Sequence, residues 1–464
     1  MTQLALATLL TLTTLAADET AVPLNQRQAR PSPEWLTGGV MYQIQPRAFT
    51  PEGTLAAAAA RLPKLAKLGV DIVYLCPVFV SDDDMNLDHW SPRQKKSGMN
   101  NPRNPYRMKD YYHVDPEYGT DADLKAFIGE AHRLGMRVLL DMVYLHCGPK
   151  AVFLEEHPDF IQRDEAGNIV YAQWNFPKLN LANPQLREYL WKNMEYWVAE
   201  FGADGFRCDV SDGLPLDFWE TARERLEKIR PDIGMLAEGR RREDQLKAFD
   251  LDYGWGFKWD NAAAFRKQWE TMHAERPRGG AKFIRFIDNH DIANDAYDNR
   301  VEKAWGTRHV DAALALMFTL DGVPFIYNGQ EVADTAKHSI YARLPVDWAA
   351  GDAPTGKARF AFCRQLCKLR HTEPALTQGE VVWLDNDAPE AVLSFLRRTS
   401  DEAILSVVSL SKEAKQVKIQ LPQSTTKPGL DVLLADEAQV GDTPGSLALK
   451  LGGFGYYVAK LRSN

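Results

Sequence analysis

The sequence is poor in the features that would place it in several large classes. Cysteine is scarce: the 464 residues hold five, at positions 76, 147, 208, 363 and 367. The number is odd and no spacing resembles a zinc site, so neither a disulfide framework nor a cysteine-held metal is implied. Cys363 and Cys367 are four apart in a helical pattern and share a face, and Cys208 sits within an apolar strand as a small buried hydrophobe. A basic excess is also missing. There are 55 Lys and Arg against 63 Asp and Glu, a net charge of −8, which argues against a nucleic-acid partner. No apolar run reaches the roughly 20 residues that span a bilayer. The nearest, residues 4–17 (LALATLLTLTTLAA), is short and small-residue-rich, and ends at Ala16 and Ala17. It reads as the apolar part of a signal peptide over 1–17, although no Lys or Arg precedes Arg27. A secreted or periplasmic protein is therefore expected. There are no internal repeats, and no glycine-rich phosphate turn follows the first apolar run, where the chain reads QIQPRAFTPEG.

What is present is a rhythm. After an N-terminal arm over 18–37, short apolar runs alternate with longer helical patterns. The runs are VMYQI (40–44), VDIVYL (70–75), RVLLDMV (137–143), GFRCDV (205–210), IGMLAE (233–238), FIRFID (283–288) and VPFIYN (323–328). A weaker one covers Leu251–Phe257, making eight. Between them lie stretches such as TDADLKAFIGEAHRLG (120–135), in which Thr120 and Asp123 resemble a capping box and Gly135 a helix stop. Strands alternating with helices predict a parallel sheet, and eight of them predict an α/β fold: a (β/α)8 TIM barrel over 38–376. Residues 145–182 lack a clean helix and read as a short insertion after strand 3. From residue 377 the segments EVVWL, AVLSFLRR, AILSVVSL, KQVKIQL and GYYVAKL predict a C-terminal antiparallel β-domain, a sandwich over 377–464.

In such a barrel the functional side chains follow the C-terminal ends of the strands. Arg207 and Asp209 are two apart, so both project to one side. A guanidinium beside Asp209 is expected to lower its pKa and keep it ionised, as a nucleophile requires. Glu238 ends an apolar strand, where burial raises a carboxyl's pKa and suits a general acid. His290 and Asp291 follow FIRFIDN, and His146 follows the strand carrying Asp141. Each carboxylate alone is more often a helix cap or a solvated loop residue. Together they meet the requirement for glycoside cleavage, in which one carboxylate attacks the anomeric carbon and another protonates the leaving oxygen.

These motifs resemble the α-amylase family, glycoside hydrolase family 13, over nearly all of 38–464. DMVYLH (141–146), GFRCD (205–209), LAEG around Glu238 and FIDNHD (286–291) look like its four conserved regions, in order. MYQIQPRAF (41–49), LGVDIVYLCPVF (68–79), DYYHVDPEYGT (110–120) and GVPFIYNGQE (322–331) support the match. The resemblance implies Asp209 as nucleophile, Glu238 as acid/base and Asp291 as the third catalytic carboxylate. It implies Tyr106, Asp141, His146, Arg207 and His290 as substrate-binding residues, with no cofactor required. FPKLN (176–180) is similar to the neopullulanase and cyclomaltodextrinase branch.

The departures are as informative. Leu145 stands where many relatives carry an Asn that ligates calcium, so that site is expected to be lost. Asp212 and Gly213 replace the Lys-His that touches the leaving-side glucose in many α-amylases, and Arg107 stands where relatives have Asp. A separate acidic loop, DDDMNLD (82–88), spaces Asp82, Asp84, Asn86 and Asp88 like the start of a calcium loop. It has Leu87 in place of the turn glycine and Arg93 where the closing Glu belongs. A solvated acidic loop is the alternative. GRRRED (239–244) reads as a solvated helix start or a leaving-group contact. Trp174, Tyr253 and Trp255 are sugar platforms or core residues. The expected function is retaining hydrolysis of α-glucosidic bonds in malto-oligosaccharides or related α-glucans. The alternatives are a trehalose-synthase-like transglycosylase or isomerase, and a non-catalytic sugar-binding barrel. The expected partner is an oligosaccharide or α-glucan, with no nucleic acid and no membrane span.

Overall fold

The computed structural model describes residues 22–279, 282–295, 300–422, 429–443 and 446–462. The expected leader at 1–17 lies outside the described residues. Eight parallel strands close into a barrel in sequence order: β1 (Met41–Ile44), β2 (Ile72–Leu75), β3 (Arg137–Met142), β4 (Gly205–Cys208), β5 (Gly234–Ala237), β6 (Leu251–Tyr253), β7 (Lys282–Arg285) and β8 (Val323–Tyr327). Barrel strands are covered on both faces, inside by one another and outside by helices, which is why they read as unbroken apolar runs. The helices carry their own punctuation. Thr120 and Asp123 form a reciprocal capping box at the start of the helix Asp121–Arg133. Asn183 caps the helix Pro184–Phe201, which stops at a left-handed Gly202.

The barrel interior is layered. Met41, Ile72, Leu139, Leu236, Leu251, Ile284 and Val323 fill the lower part. Two residues beyond Met41, Ile72, Leu139, Leu251 and Val323, and so on the same side, stand Gln43, Tyr74, Asp141, Tyr253 and Phe325, and Arg207 stands two beyond Gly205. An apolar floor thus carries a largely polar roof. Close packing at the floor demands glycine at 205: a Cβ there would lie 2.1 Å from the carbonyl of Gly234, its partner in β5.

Residues 145–182 form the insertion as an irregular excursion pinned by isolated bridges, including His146 to Lys178 and Ile161 to Leu179. It brings Gln173, Trp174 and Phe176 to the barrel mouth.

Beyond the barrel come β9 (Glu380–Trp383), β10 (Val392–Arg398), β11 (Ala403–Ser409), β12 (Lys415–Ile419), β13 (Leu430–Thr443) and β14 (Ser446–Leu461). They join in one continuous antiparallel sheet, ordered β12-β14-β11-β10-β9 with β13 on β14. Phe395, Ile404, Val408, Tyr456 and Val458 pack into the barrel's outer core, and Leu396, Leu405, Val407, Val417 and Leu449 form a second cluster. Arg397 is fully buried and donates to the carbonyls of Thr319 and Leu320 at 3.1 and 2.6 Å, anchoring the sheet to the barrel. The sequence reading lacked β13. Its two bulges, between Val432 and Leu434 and between Asp436 and Ala438, shift the register and spoil the alternation that marks a strand.

Candidate active site

Segments following seven strands, β2 to β8, converge on one pocket of about 290 Å³. Tyr106 comes from the long connection after β2, His146 from beyond β3 and Asp209 from immediately after β4. Glu238 follows β5, and His290 and Asp291 open the short helix after β7. All six line the pocket. Asp141 and Arg207 do not: their side chains are fully buried beneath it. The sequence placed seven of them at or near strand ends and the resemblance implied Tyr106; the structure divides the eight into a lining and a support.

The support is organised by charge. Asp141 and Arg207 are direct neighbours in the β3–β4 ladder. Arg207 Nη1 donates to Asp141 Oδ1 at 2.7 Å and to Asp209 Oδ1 at 2.8 Å. Its Nη2 stands 2.6 Å from Glu238 Oε2, an ion pair without hydrogen-bond alignment. One guanidinium therefore serves three carboxylates from three strands. The residue after Asp209 adds to this. Val210 sits in the left-handed region at φ 43° and ψ 49°, a costly conformation for a β-branched residue. In return its N–H donates to Glu238 Oε2 at 3.0 Å. Gly239 lets the two turns approach, since a Cβ there would lie 2.6 Å from Ser211 Oγ.

A second chain of bonds fixes the donors. Gln43 Oε1 accepts from the His290 backbone N–H at 3.1 Å, so its amide nitrogen donates to His290 Nδ1 at 2.8 Å. His290 Nε2 then carries the hydrogen and donates to the Tyr106 hydroxyl at 2.7 Å. The hydroxyl in turn donates to Asp141 Oδ2 at 2.9 Å, beside the Tyr74 hydroxyl at 2.7 Å. The Tyr106 and His290 rings stack at 5.3 Å and 13°. His146 Nε2 donates to the Tyr106 carbonyl at 2.9 Å, which leaves Nδ1 as an acceptor.

These surroundings move the titrations apart. Burial pushes Asp209 up to about 6, with Asp141 and Asp291 adding to the rise and Arg207 opposing it. The expected lowering by Arg207 is thus reversed, because its single charge is shared among three carboxylates while the site is desolvated. Glu238 is pushed well above the carboxylate range, first by burial and then by Asp209 and Asp291. Burial also acts on Asp291, but His290 and Arg93 outweigh it and hold that group down to about 2. Burial lowers His290, and it lowers His146 to about 4, so both are neutral near pH 7.

From the sequence Arg93 is only the wrong residue for a calcium loop, and its place in the site is not legible there. It lines the pocket and grips Asp291 with Nη1 at 2.6 Å. No local signal marks it, because its partner is 198 residues away. Gln43 and Tyr74, which hold His290 and Asp141, were also missed. Their polarity inside otherwise apolar runs was the available signal. Trp174 and Trp255 line the pocket, whereas Tyr253 is buried beneath, stacked on Trp255 at 5.0 Å. In GRRRED, Arg241 pairs with Asp244 and Arg242 with Asp252, while Arg240 reaches the pocket.

Neither the family calcium position at Leu145, expected to be lost, nor the acidic loop spaced like a calcium loop offers a set of side-chain ligands. Leu145 is buried among apolar groups and offers no oxygen. In the acidic loop, Asp82 accepts from the backbone N–H of Asp84 and Lys150 at 2.8 and 2.7 Å, and Asp84 pairs with His89 at 2.5 Å. Arg107 is fully buried and supplies the positive charge, donating to the carbonyls of Asp82, Asp84, His89 and Pro102 at 2.9–3.1 Å. Among the described residues no group of three or more His, Cys, Asp or Glu is arranged to hold a metal ion.

Comparison with known proteins agrees with this arrangement. The family model described as "Alpha amylase, catalytic domain" matches residues 37–174 and 168–350. "Alpha-amylase 2" of Dictyoglomus thermophilum is 27% identical over 390 residues, covering 77% of this chain, which spans 64% of that relative's length. "Neopullulanase 2" of Thermoactinomyces vulgaris is 27% identical over 490 residues, covering 90% of this chain and 77% of its own. The crystal structure of a maltogenic α-amylase from Thermotoga neapolitana superposes with a TM-score of 0.79 at 26% identity, covering 93% of this chain and all of that one. The expectation of a secreted or periplasmic protein is overturned here. The "Intracellular maltogenic amylase" of Bacillus subtilis is 24% identical over 433 residues, covering 81% of this chain and 68% of its own. Among the described residues no helix is long and apolar enough to cross a membrane. With the barrel, the carboxylate cluster and a model matching most of the chain in agreement, this protein belongs to the α-amylase family of glycoside hydrolases.

Proposed function

We propose that the chain hydrolyses α-glucosidic bonds of short malto-oligosaccharides with retention of configuration, using Asp209 as nucleophile and Glu238 as acid/base. The observation that carries this reading is the pairing of two pocket carboxyls at one guanidinium, with Asp209 2.8 Å and Glu238 2.6 Å from Arg207. Burial pushes Asp209 up to about 6 and raises Glu238 well above its ordinary value. Two carboxyls whose surroundings drive them apart are suited to opposite roles.

Asp209 attacks the anomeric carbon as Glu238 protonates the departing oxygen. Glu238, now ionised and beside Arg207, takes a proton from water, which attacks the same carbon and releases the sugar from Asp209. Asp291, held ionised, accepts hydrogen bonds from hydroxyls of the reacting ring, His146 offers Nδ1 as a neutral acceptor, and His290 holds the Tyr106 hydroxyl in place. Arg207 and Asp141 act from below, by holding Asp209, Glu238 and Tyr106 in place. On the leaving side, Asp212 and Arg240 stand in the pocket. Without the Lys-His pair found in many relatives, oligosaccharides are expected to outcompete soluble starch.

A mass-spectrometric product screen over maltotriose, pullulan, cyclodextrin, sucrose and trehalose tests the reading. Glucose and maltose from maltotriose support it. Isomerised or newly built disaccharides as the main products would overturn hydrolysis. Absence of turnover on every α-glucoside would overturn the reading as a whole.

A further inference from the structure

The two rims of the pocket are built differently. Over β7, β8, β1 and β2 the loops are laced together. Arg93, after β2, reaches across to the segment after β7, where Nη1 and Nη2 bind the Asp291 carboxylate and carbonyl at 2.6 and 2.7 Å, and Nε binds Asp295 at 2.7 Å. Asn101 donates to the Tyr341 carbonyl at 2.9 Å, tying the β2 loop to the β8 loop. Arg47, just past β1 and fully buried, binds the carbonyls of Ile340 and Arg103 and the carboxylate of Glu117. The pocket residues on this side are packed: Ser91, Asn104, Ile340 and Tyr341 are at most 3% exposed. The opposite rim is open to solvent. Asp212 and Arg240 are exposed there, and the Arg240 guanidinium has no partner among the described residues.

The chemistry orients a substrate between these rims. This step rests on the assignment of Glu238 as the acid. The leaving oxygen at C1 must then lie on the Glu238 side, where Asp212 and Arg240 form the rim. In an α-1,4-linked glucan the preceding sugar is joined through O4, across the ring from C1. O4 therefore points at the packed wall of Asn104, Ile340 and Tyr341. We propose that the pocket is blind on the donor side, so that the enzyme removes one terminal glucosyl unit at a time from the non-reducing end while the remaining chain leaves over Asp212 and Arg240. Such a pocket takes chain ends and excludes closed rings and blocked termini.

The test uses the wild-type enzyme and three substrates: linear maltohexaose, maltohexaose with a 4,6-acetal on its non-reducing sugar, and cyclomaltohexaose. Glucose should be the first product from the linear chain. The blocked and cyclic forms should show kcat/KM lower by about 100-fold or more, the loss that follows when a packed wall displaces the reacting centre. Maltose or longer fragments as first products, or a smaller loss with the blocked form, would overturn the blind pocket while leaving the hydrolytic reading intact. Turnover of none of the three would overturn that reading, and this inference with it.

Discussion

Arg207 Nη2 stands 2.6 Å from Glu238 Oε2, yet Glu238 titrates well above the carboxylate range. Burial, with Asp209 and Asp291 adding to it, outweighs the lowering by Arg207, whose guanidinium also serves Asp141 and Asp209 at 2.7 and 2.8 Å. Glu238→Gln should therefore leave the fold intact and remove only the proton donor. We expect kcat/KM on natural oligosaccharides to fall by roughly 10²–10⁴-fold, the usual worth of a positioned acid or base. Aryl glucosides with good leaving groups should lose much less in the glycosylation step. Equal losses on both substrate types, read by steady-state and pre-steady-state rates, would count against Glu238 as the acid.

Asp209 links activity to stability. Its native value of about 6 lies above the roughly 3.9 of an unfolded aspartate, so the native state takes up a proton between those values. The wild-type protein then loses stability as pH rises from about 4 to 6, and the penalty is complete above that window. Asp209→Asn removes the penalty while turnover disappears. The variant's melting temperature should exceed that of wild type at pH 7, by an amount equivalent to about 1–3 kcal/mol, and the gain should shrink toward pH 4. A gain that is absent at pH 7, or that grows on acidification, would contradict the assigned shift. The same group should set the acid limb of the wild-type kcat/KM profile near pH 6, with activity falling below it.

Much of this was legible in the sequence, and the reasons differ by element. All eight barrel strands could be read because strands buried on both faces are apolar without interruption, and even the three-residue β6 lay inside the weak run at Leu251. That Asp209, Glu238 and Asp291 meet at one mouth could be read because strand ends are fixed positions in a barrel. The direction of the Asp209 shift was not legible: Arg207 is two residues away in sequence, but the burial that raises Asp209, and the Asp141 and Asp291 carboxylates that add to it, are brought there by the fold. Arg93 was not legible either, since it belongs to a loop and acts across the mouth. The strand β13 hid behind its bulges.

Arg93 gives a direct test of that blind spot. Arg93→Ala removes the donor at 2.6 Å from Asp291, and Asp291 loses one of the three groups, with His290 and Arg207, that hold it down to about 2. A charge-assisted hydrogen bond is worth about 1.5–3 kcal/mol, so kcat/KM should fall by roughly 10–100-fold. Lysine should restore part of the charge but not the three-way grip. Unchanged kinetics in both variants would show that Asp291 needs no such partner.

Metal dependence should be absent. Leu145 offers no ligand, and the carboxylates of Asp82 and Asp84 are engaged by backbone N–H groups and His89. Activity and melting temperature should survive prolonged treatment with a chelator such as EDTA. A fall in either that calcium alone restores would show that an ion binds after all.

The most direct measurement traps the intermediate. A 5-fluoro-α-glucosyl fluoride should form a long-lived glycosyl-enzyme, and peptide mass spectrometry should find the sugar on the fragment containing Asp209, bonded to that residue. Proton NMR on the unlabelled reaction should then show the α-anomer released first, as double displacement between carboxyls roughly 5–5.5 Å apart requires. An unlabelled Asp209 peptide together with initial release of the β-anomer would contradict the account.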